Sequence, residues 1–319
     1  MKWLFQPKNV KYFILLFICV LLSILNKSFF TVSNFINVLR QASILVILGT
    51  GVTFVIITAG IDLSLAGIMS LSGCFCAILL NRGLPVPAAI IFTIFLGILF
   101  GSFNGTLVSI VGLPPFVATY GVKFIADGLA LILMGGNILF GFPKSFIFLG
   151  IGYVFNTIPV LVIIAAAIAV IFHIILTKTI LGKQVFCVGA NIAASHYSGI
   201  RTRKVLILSY IFSSVFAAIA GMLLAARMSA AQAGMGESYQ MLAIASVVIG
   251  GTSMSGGEGD ISGTIVGALI LTLIVNGMNL LGLPTNAQAL ITGSVIIMAV
   301  LMDTQMKKVK TFQTQQIKG

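Results

Sequence analysis

The amino-acid sequence predicts an all-α polytopic membrane protein of about ten transmembrane helices, some of them broken, forming a single domain over residues 1–319. Three observations predict it. Apolar residues make up 59% of the chain and charged residues only 8%, too few charges to cover a water-facing surface. Long apolar runs recur from end to end, each close to the ~20 residues a helix needs to cross the hydrocarbon. The basic residues sit in the gaps between these runs and divide unevenly between alternate gaps.

The runs place spans at about 12–30, 41–60, 63–80, 86–111, 115–134, 157–176, 205–226, 240–252, 262–281 and 287–302. The eighth is short and reads as a broken or partly re-entrant helix. Residues 12–302 are thus embedded, and 303–319 form a basic tail. With the N-terminus inside, the cytosolic pieces carry Lys2, Lys8, Lys11, Lys178, Lys183, Arg201, Arg203, Lys204, Lys307, Lys308, Lys310 and Lys318. The outer pieces carry Lys27, Arg40, Arg82, Lys144 and Arg227, while Lys123 falls within a span. Twelve against five satisfies the positive-inside rule, and an even span count puts both termini in the cytosol. The net charge of +12 therefore orients a membrane protein; nucleic-acid binding would need a basic face on a soluble domain. The first run is too long, and too closely followed by others, for a removable signal peptide.

Two loops are long. The outer one, 135–156, mixes Gly with Phe around one charge, Lys144, and reads as lying on the membrane surface within reach of an external partner. The inner one, 177–204, holds a small polar stretch, Asn191 to Ser198, between Gly189 and Gly199, which reads as a short helix lying across the cytosolic face. A weak internal repeat is also visible. The run ending at Gly60 is followed by Asp62 and Ser64, and the run Val247–Gly251 by a Gly/Ser-rich stretch ending near Ser262. Both read as a helix broken by a polar turn and resumed, a habit of transporters with internal duplications.

Gly97, Gly101 and Gly105 are spaced by four, as are Gly263 and Gly267, a pattern for close helix packing. Asp62 has two readings: a cap for the helix starting near Leu63, or a functional intramembrane acid in a break that lines a cavity. Asn276 and Asn279, three apart on one helix face, either glue helices together or line a path, and Asn104 is placed similarly. In the outer segment 229–239, Gln232 and Glu237 are contacts for an external partner or part of an ordinary solvated loop. The four cysteines form no disulfide framework, no cluster has metal-ligand spacing, and the chain contains no GxxxxGK[ST], HExxH, GxSxG or CxxC. His173 lies alone at a span end. The residues offer no catalytic constellation, so a transporter or a membrane scaffold is expected rather than an enzyme.

Several blocks resemble one family. GVTFVIITAGIDLSLAGIMSLSG (51–73), GLPPFVATYG (112–121), GANIAASHYSGI (189–200), AIASVVIGGTSMSGGEGDISGTIVGALI (243–270) and NGMNLLG (276–282) are similar, in order, to blocks of ribose-type (monosaccharide) ABC-transporter permeases. The resemblance implies a multi-pass subunit of a bacterial inner membrane that translocates a monosaccharide or sugar-like solute. It implies as partners two cytosolic ATPase subunits holding ATP and Mg, with no cofactor in this chain. It also implies an extracytoplasmic sugar-binding protein, docking near Lys144, Gln232 and Glu237, and a second permease, either a copy or a paralogue. By the same matching, Gly189, Asn191, Ala194, Ser195, His196 and Gly199 belong to the segment that couples to the ATPase. Substrate-path candidates are Asp62, Asn104, Asn276 and Asn279. The chain departs from the family pattern at Tyr239-Gln240-Met241-Leu242, where an acid-rich Tyr-Glu-Leu-Asp is common, at Asp127-Gly128, where Arg precedes Gly, and at Ala233, where proline is usual. Rival readings are an ion-coupled secondary transporter, which would need Asp62 or Asp127 to titrate, and a related ABC permease for branched-chain amino acids or nucleosides.

Overall fold

The structure, a computed structural model, describes residues 10–284, 286–295, 297–298 and 301. The helices are α1 (Val10–Leu25), α2 (Val32–Ile57), α3 (Leu65–Asn81), α4 (Val86–Ser109), α5 (Pro115–Met134), α6 (Lys144–Ile151), α7 (Val160–Lys178), α8 (Ile180–Ala190), α9 (Ile192–Tyr197), α10 (Thr202–Met228), α11 (Glu237–Ile249) and α12 (Ile261–Leu280). Residues 286–295 are also helical. Among the described residues there are also four two-residue strands: β1 (Leu139–Phe140), β2 (Tyr153–Val154), β3 (Ile158–Pro159) and β4 (Ala230–Ala231). Among the described residues, α2, α4, α5, α7, α10 and α12 are long and apolar enough to cross a membrane, while α1, α3 and α11 are apolar but shorter. Lys2, Lys8 and the basic tail 303–319 lie outside the described residues, as does part of the tenth expected span.

Element ends follow local chemistry that apolarity does not report. The first expected span stops at Leu25, because the Asn26 side chain accepts from Ser28 N–H at 2.8 Å and starts a separate 3-10 turn, Lys27–Phe30. The second begins nine residues early, where Thr31 Oγ1 accepts from Asn34 N–H. The inner loop holds two helices rather than one. Besides the short helix read at 191–198, Thr179 caps α8 by accepting from Gly182 N–H.

The buried centre is built on α2, α3 and α10; α2 is 89% buried over its most apolar window. Phe54, Phe172, Phe212 and Phe216 pack edge to face at centroid distances of 4.6 to 6.0 Å and tie α2, α7 and α10 together. The α4 glycines do what their spacing predicts. A Cβ on Gly97, Gly101 or Gly105 would run into α10 backbone at Ser214–Val215, Tyr210–Ile211 or Ile207, so the two helices touch main chain to main chain. By contrast α4, α5 and α7 turn Ile91, Phe95, Ile132, Val170 and Ile174 outward, as helices at a lipid boundary do.

Both ends of the bundle are organised. At one, Lys11 at the start of α1 donates to Gly250 O at 3.0 Å, and α8, α9, Arg201 and the polar turn before α12 gather beside it. This end is the basic side of the bundle. At the opposite end Arg40 donates to Ile151 O at 2.6 Å with its guanidinium 4.7 Å from the Tyr153 ring centroid, and Arg227 donates to Asn37 Oδ1 at 3.3 Å. There β1 pairs antiparallel with β4, Leu139 opposite Ala231, which joins the 135–156 loop to the segment after α10. The Phe-rich loop is held down by Phe142 and Phe146, 5% and 1% exposed.

Candidate functional site

The first helix break runs from Thr58 to Ser64. Ala59 adopts φ +59, and the chain is irregular until α3. Asp62, 1% exposed, accepts from Ser64 N–H at 2.9 Å and from Ser64 Oγ at 2.5 Å, and the Ser213 hydroxyl of α10 lies against the same carboxylate. Asn104 Nδ2 of α4 donates to Ser64 Oγ at 2.8 Å. Thr119 Oγ1 of α5 accepts from Leu63 N–H at 3.0 Å, and Tyr210 Oη donates to Ile61 O at 3.4 Å. The capping reading of Asp62 needs correction in its detail. The N-cap of α3 is Ser64, which makes no side-chain cap bond, and Asp62 acts two residues earlier as an Asx-type acceptor. Irregular backbone in a membrane must find its partners in protein; α5 and α10 supply Thr119 and Tyr210 to it, and α4 supplies Asn104 to the Ser64 hydroxyl. Asp62 and Asn104 therefore stand together in one buried polar cluster.

The two other candidate amides lie elsewhere. Asn276 and Asn34 exchange both amide hydrogen bonds, at 2.8 and 3.1 Å, and Asn276 is 3% exposed, which is the interhelical gluing role. Asn279 Oδ1 accepts from Gln288 Nε2 at 2.9 Å.

The second break, Gly250–Asp260, meets the first directly. Gly257 N–H donates to Ile57 O at 2.8 Å. Gly189, at the end of α8, packs so tightly there that a Cβ would stand 1.7 Å from Ile57 O and 2.7 Å from Gly257 N. The expected short helix, α9, begins three residues later, at Ile192. Asn191 caps it by accepting from Ala194 N–H at 2.9 Å. Gly199, at φ +82, ends it with Gly199 N–H on His196 O and Ile200 N–H on Ser195 O, both 3.0 Å. That is the Schellman pattern, which glycine alone enters without strain. Ala194, His196 and Tyr197 are exposed, whereas Ser195 is buried at 4% and faces the bundle. A cleft of about 600 Å³ opens beside α9, lined by Ile192, Ala193, His196, Arg201, Thr202 and Arg203.

His173 is not alone as its sequence position suggests: its Nδ1 stands 3.2 Å from Asp260 Oδ1 at the start of α12. Burial opposes ionisation of Asp260. Hydrogen bonds from the Ser262 hydroxyl and backbone N–H, with His173 and Lys11 nearby, outweigh it and hold the carboxyl below the usual carboxylate range. A depressed folded-state value stabilises the fold fully above the unfolded value, and that share is lost as pH falls through the folded one. Asp260→Asn is accordingly expected to lower Tm at neutral pH, with the gap to wild type closing below the ordinary carboxylate range. A gap independent of pH would contradict this origin.

The segment expected to be an external contact divides. Lys144 is exposed at the start of α6 and Gln232 is half-buried just after β4, both at the end opposite α9. Glu237 is not at that surface. Residues 232–236 run inward until Gly236 N–H donates to Ser70 Oγ of α3 at 3.0 Å. Glu237 starts α11 there, paired with Lys123 Nζ at 2.8 Å. Thirteen residues of α11 span about 20 Å, too short to cross, so the broken-helix reading of 240–252 holds. Lys123 also lies 4.0 Å from Asp127 Oδ2. The sequence placed Lys123 in a span and Asp127 beside Gly128 but did not join them to Glu237. The i, i+4 pair of opposite charges inside an apolar run was the available signal.

Comparison with known proteins identifies the family. The family described as "Branched-chain amino acid transport system / permease component" matches residues 34–300. The ribose import permease protein RbsC of Bacillus subtilis (strain 168) is 40% identical over 294 residues, 91% of each chain. The D-allose transport system permease protein AlsC of Escherichia coli (strain K12) is 36% identical, covering 96% of this chain and 94% of its own. The xylose transport system permease protein XylH of Haemophilus influenzae is 32% identical, covering 96% of this chain and 100% of its own. No solved structure matches. A bundle with two broken helices that meet beside a capped surface helix, matched nearly end to end by these relatives, belongs to the ABC-transporter permease family, among its sugar permeases.

Proposed function

We propose that this chain is the membrane-spanning subunit of a monosaccharide importer in a bacterial inner membrane, with ten spans, both termini in the cytosol and the basic side inward. The sugars named for its relatives, ribose, allose and xylose, define the substrate class. The charge asymmetry between the two ends supports the orientation. Cytosolic ATPase subunits supply the energy, a binding protein delivers sugar to the face where β1 pairs with β4, and a second permease completes the path.

The observation that carries this reading is the contact among Ile57, Gly189 and Gly257. α9 presents exposed side chains beside a cleft, as a docking element must, and Gly189, three residues before it, links it to both helix breaks. Movement of an ATPase bound at α9 therefore reaches the breaks through backbone contacts, without a long side-chain relay. The ATPase shifts the permease between inward- and outward-open states by contacting α9 differently in each, since only differential affinity moves such an equilibrium. Asp62, Asn104 and Thr119 hold the first break in a defined shape while this happens.

The test uses the whole complex in proteoliposomes with D-ribose, D-allose and D-xylose. The double variant His196→Glu, Tyr197→Glu changes two exposed residues of α9 and leaves buried Ser195 in place. Its binding-protein-stimulated ATP hydrolysis is expected to fall to the basal rate, with unchanged thermal stability. Normal stimulation would remove the coupling role. Uphill sugar accumulation by the purified chain alone would remove the importer reading itself.

A further inference from the structure

The cluster Lys123, Asp127 and Glu237 brings three charged side chains together within the bundle. Lys123 is the ninth residue of α5, about 12 Å along the helix from its basic-side end. Its ammonium is itself nearly buried, the side chain 10% exposed, but its partner Glu237 is 63% exposed. An ionised group at such depth costs on the order of 2.5–3.5 kcal/mol even on insertion scales. A carboxylate left open there faces water rather than lipid, and the backbone around it agrees. The stretch 232–236 is irregular, with Gly234 at φ +81, and non-helical chain at membrane depth is tolerated where it lines a cavity.

The same stripe of α5 carries rings. Phe116 stacks on Tyr120 at 5.7 Å, and Tyr120 meets Phe124 edge-on at 4.8 Å. Lys123 Nζ stands 5.9 and 5.8 Å from the Tyr120 and Phe124 ring centroids. Tyr120 and Phe124 are 40% and 58% exposed. Ala118, Val122, Ala126 and Ala130 bury the adjoining face of α5 together with Lys123 itself, whereas Tyr120 and Phe124 stay outside that packing face. Two acceptors of the cluster are unspent: Asp127 Oδ1 and, one turn along α11 from Glu237, the buried Gln240 Oε1 have no hydrogen-bond partner.

We propose that Lys123, Asp127 and Glu237, with the rings of Tyr120 and Phe124, form a station on the translocation path that binds a neutral polyhydroxylated solute. The carboxylates and the Gln240 amide accept hydrogen bonds from hydroxyl groups. The rings cover the C–H face of a pyranose or furanose, a use of the aromatic body that needs no charge on the ligand. Lys123 holds the two carboxylates in place. The inference rests on the importer reading and locates the place in this chain that touches the sugar.

The test compares sugar imported per ATP hydrolysed by reconstituted wild-type complex with that of Glu237→Gln and of the charge swap Lys123→Glu, Glu237→Lys, using the same three sugars. Loss of one hydrogen bond to a charged group corresponds to about a tenfold fall. Glu237→Gln is expected to show it while binding-protein-stimulated ATP hydrolysis stays near wild type. The swap keeps an ion pair but moves the acceptors to α5, so its import is expected to stay low. Import restored to the wild-type ratio by the swap would overturn the station and leave a structural ion pair. An unchanged ratio in Glu237→Gln would also overturn it, with the importer reading intact. Failure of the wild-type complex to import any of the three sugars would overturn both.

Discussion

Gly189→Ala is expected to uncouple the complex and destabilise the chain by on the order of 3 kcal/mol. The added Cβ would stand 1.7 Å from Ile57 O, with Gly257 N at 2.7 Å and Ile57 C at 2.8 Å, all backbone atoms. Rotamer changes cannot relieve such a clash. Ile57 O is fixed because it accepts from Gly257 N–H at 2.8 Å, so yielding space breaks that bond. Overpacking typically costs about 1–3 kcal/mol, and loss of a hydrogen bond about 1 kcal/mol more. Thermal unfolding of the purified variant and stimulated ATP hydrolysis of its complex read the two effects. Wild-type values in both would show that the junction between the breaks and α8 is loose, against the geometry described above.

Gly101→Leu is expected to have a still larger effect, losing folded protein from the membrane. A Cβ at Gly101 would lie 2.5 Å from Ile211 Cα and 2.8 Å from Tyr210 O. Without water in the hydrocarbon, helix association there rests on close packing and buried polar contacts. Separating α4 from α10 also pulls Asn104 from Ser64 and loosens the ring of partners around Asp62. Gly121→Ala is the matched control: nothing lies within 4 Å of its would-be Cβ, and alanine favours helix by up to about 1 kcal/mol. Yield and monodispersity in detergent are expected to fall sharply for Gly101→Leu and to be unchanged or improved for Gly121→Ala. Equal behaviour of the two variants would refute the assignment of Gly101 to the α4–α10 contact.

Much of this arrangement is legible in the chain itself. The α4 glycine stripe is read correctly because a period of four needs no knowledge of the partner helix. The short helix at 191–198 is read correctly because its signals, a small polar stretch between Gly189 and Gly199, all lie close together in sequence. Glu237 is misplaced for the opposite reason. Local polarity around Ser229–Tyr239 reads as a solvated loop, and nothing nearby in sequence says that residues 232–236 turn into the bundle. Asn276 is left undecided for the same reason: its partner, Asn34, lies 242 residues away.

Composition, periodicity and charge asymmetry by themselves determined that the chain is a helical membrane protein, where most of its spans fall, where two of them break and which segment forms the surface helix. These are local properties, set by each residue's transfer free energy and by neighbours within a turn or two. The tertiary structure alone decided which polar groups meet. Lys123 and Glu237 are 114 residues apart in sequence and 2.8 Å apart in space, and Ile57, Gly189 and Gly257 touch through backbone atoms that carry no residue identity. A buried charge or a bare carbonyl takes whatever partner packing brings to it, and packing is a property of the whole bundle.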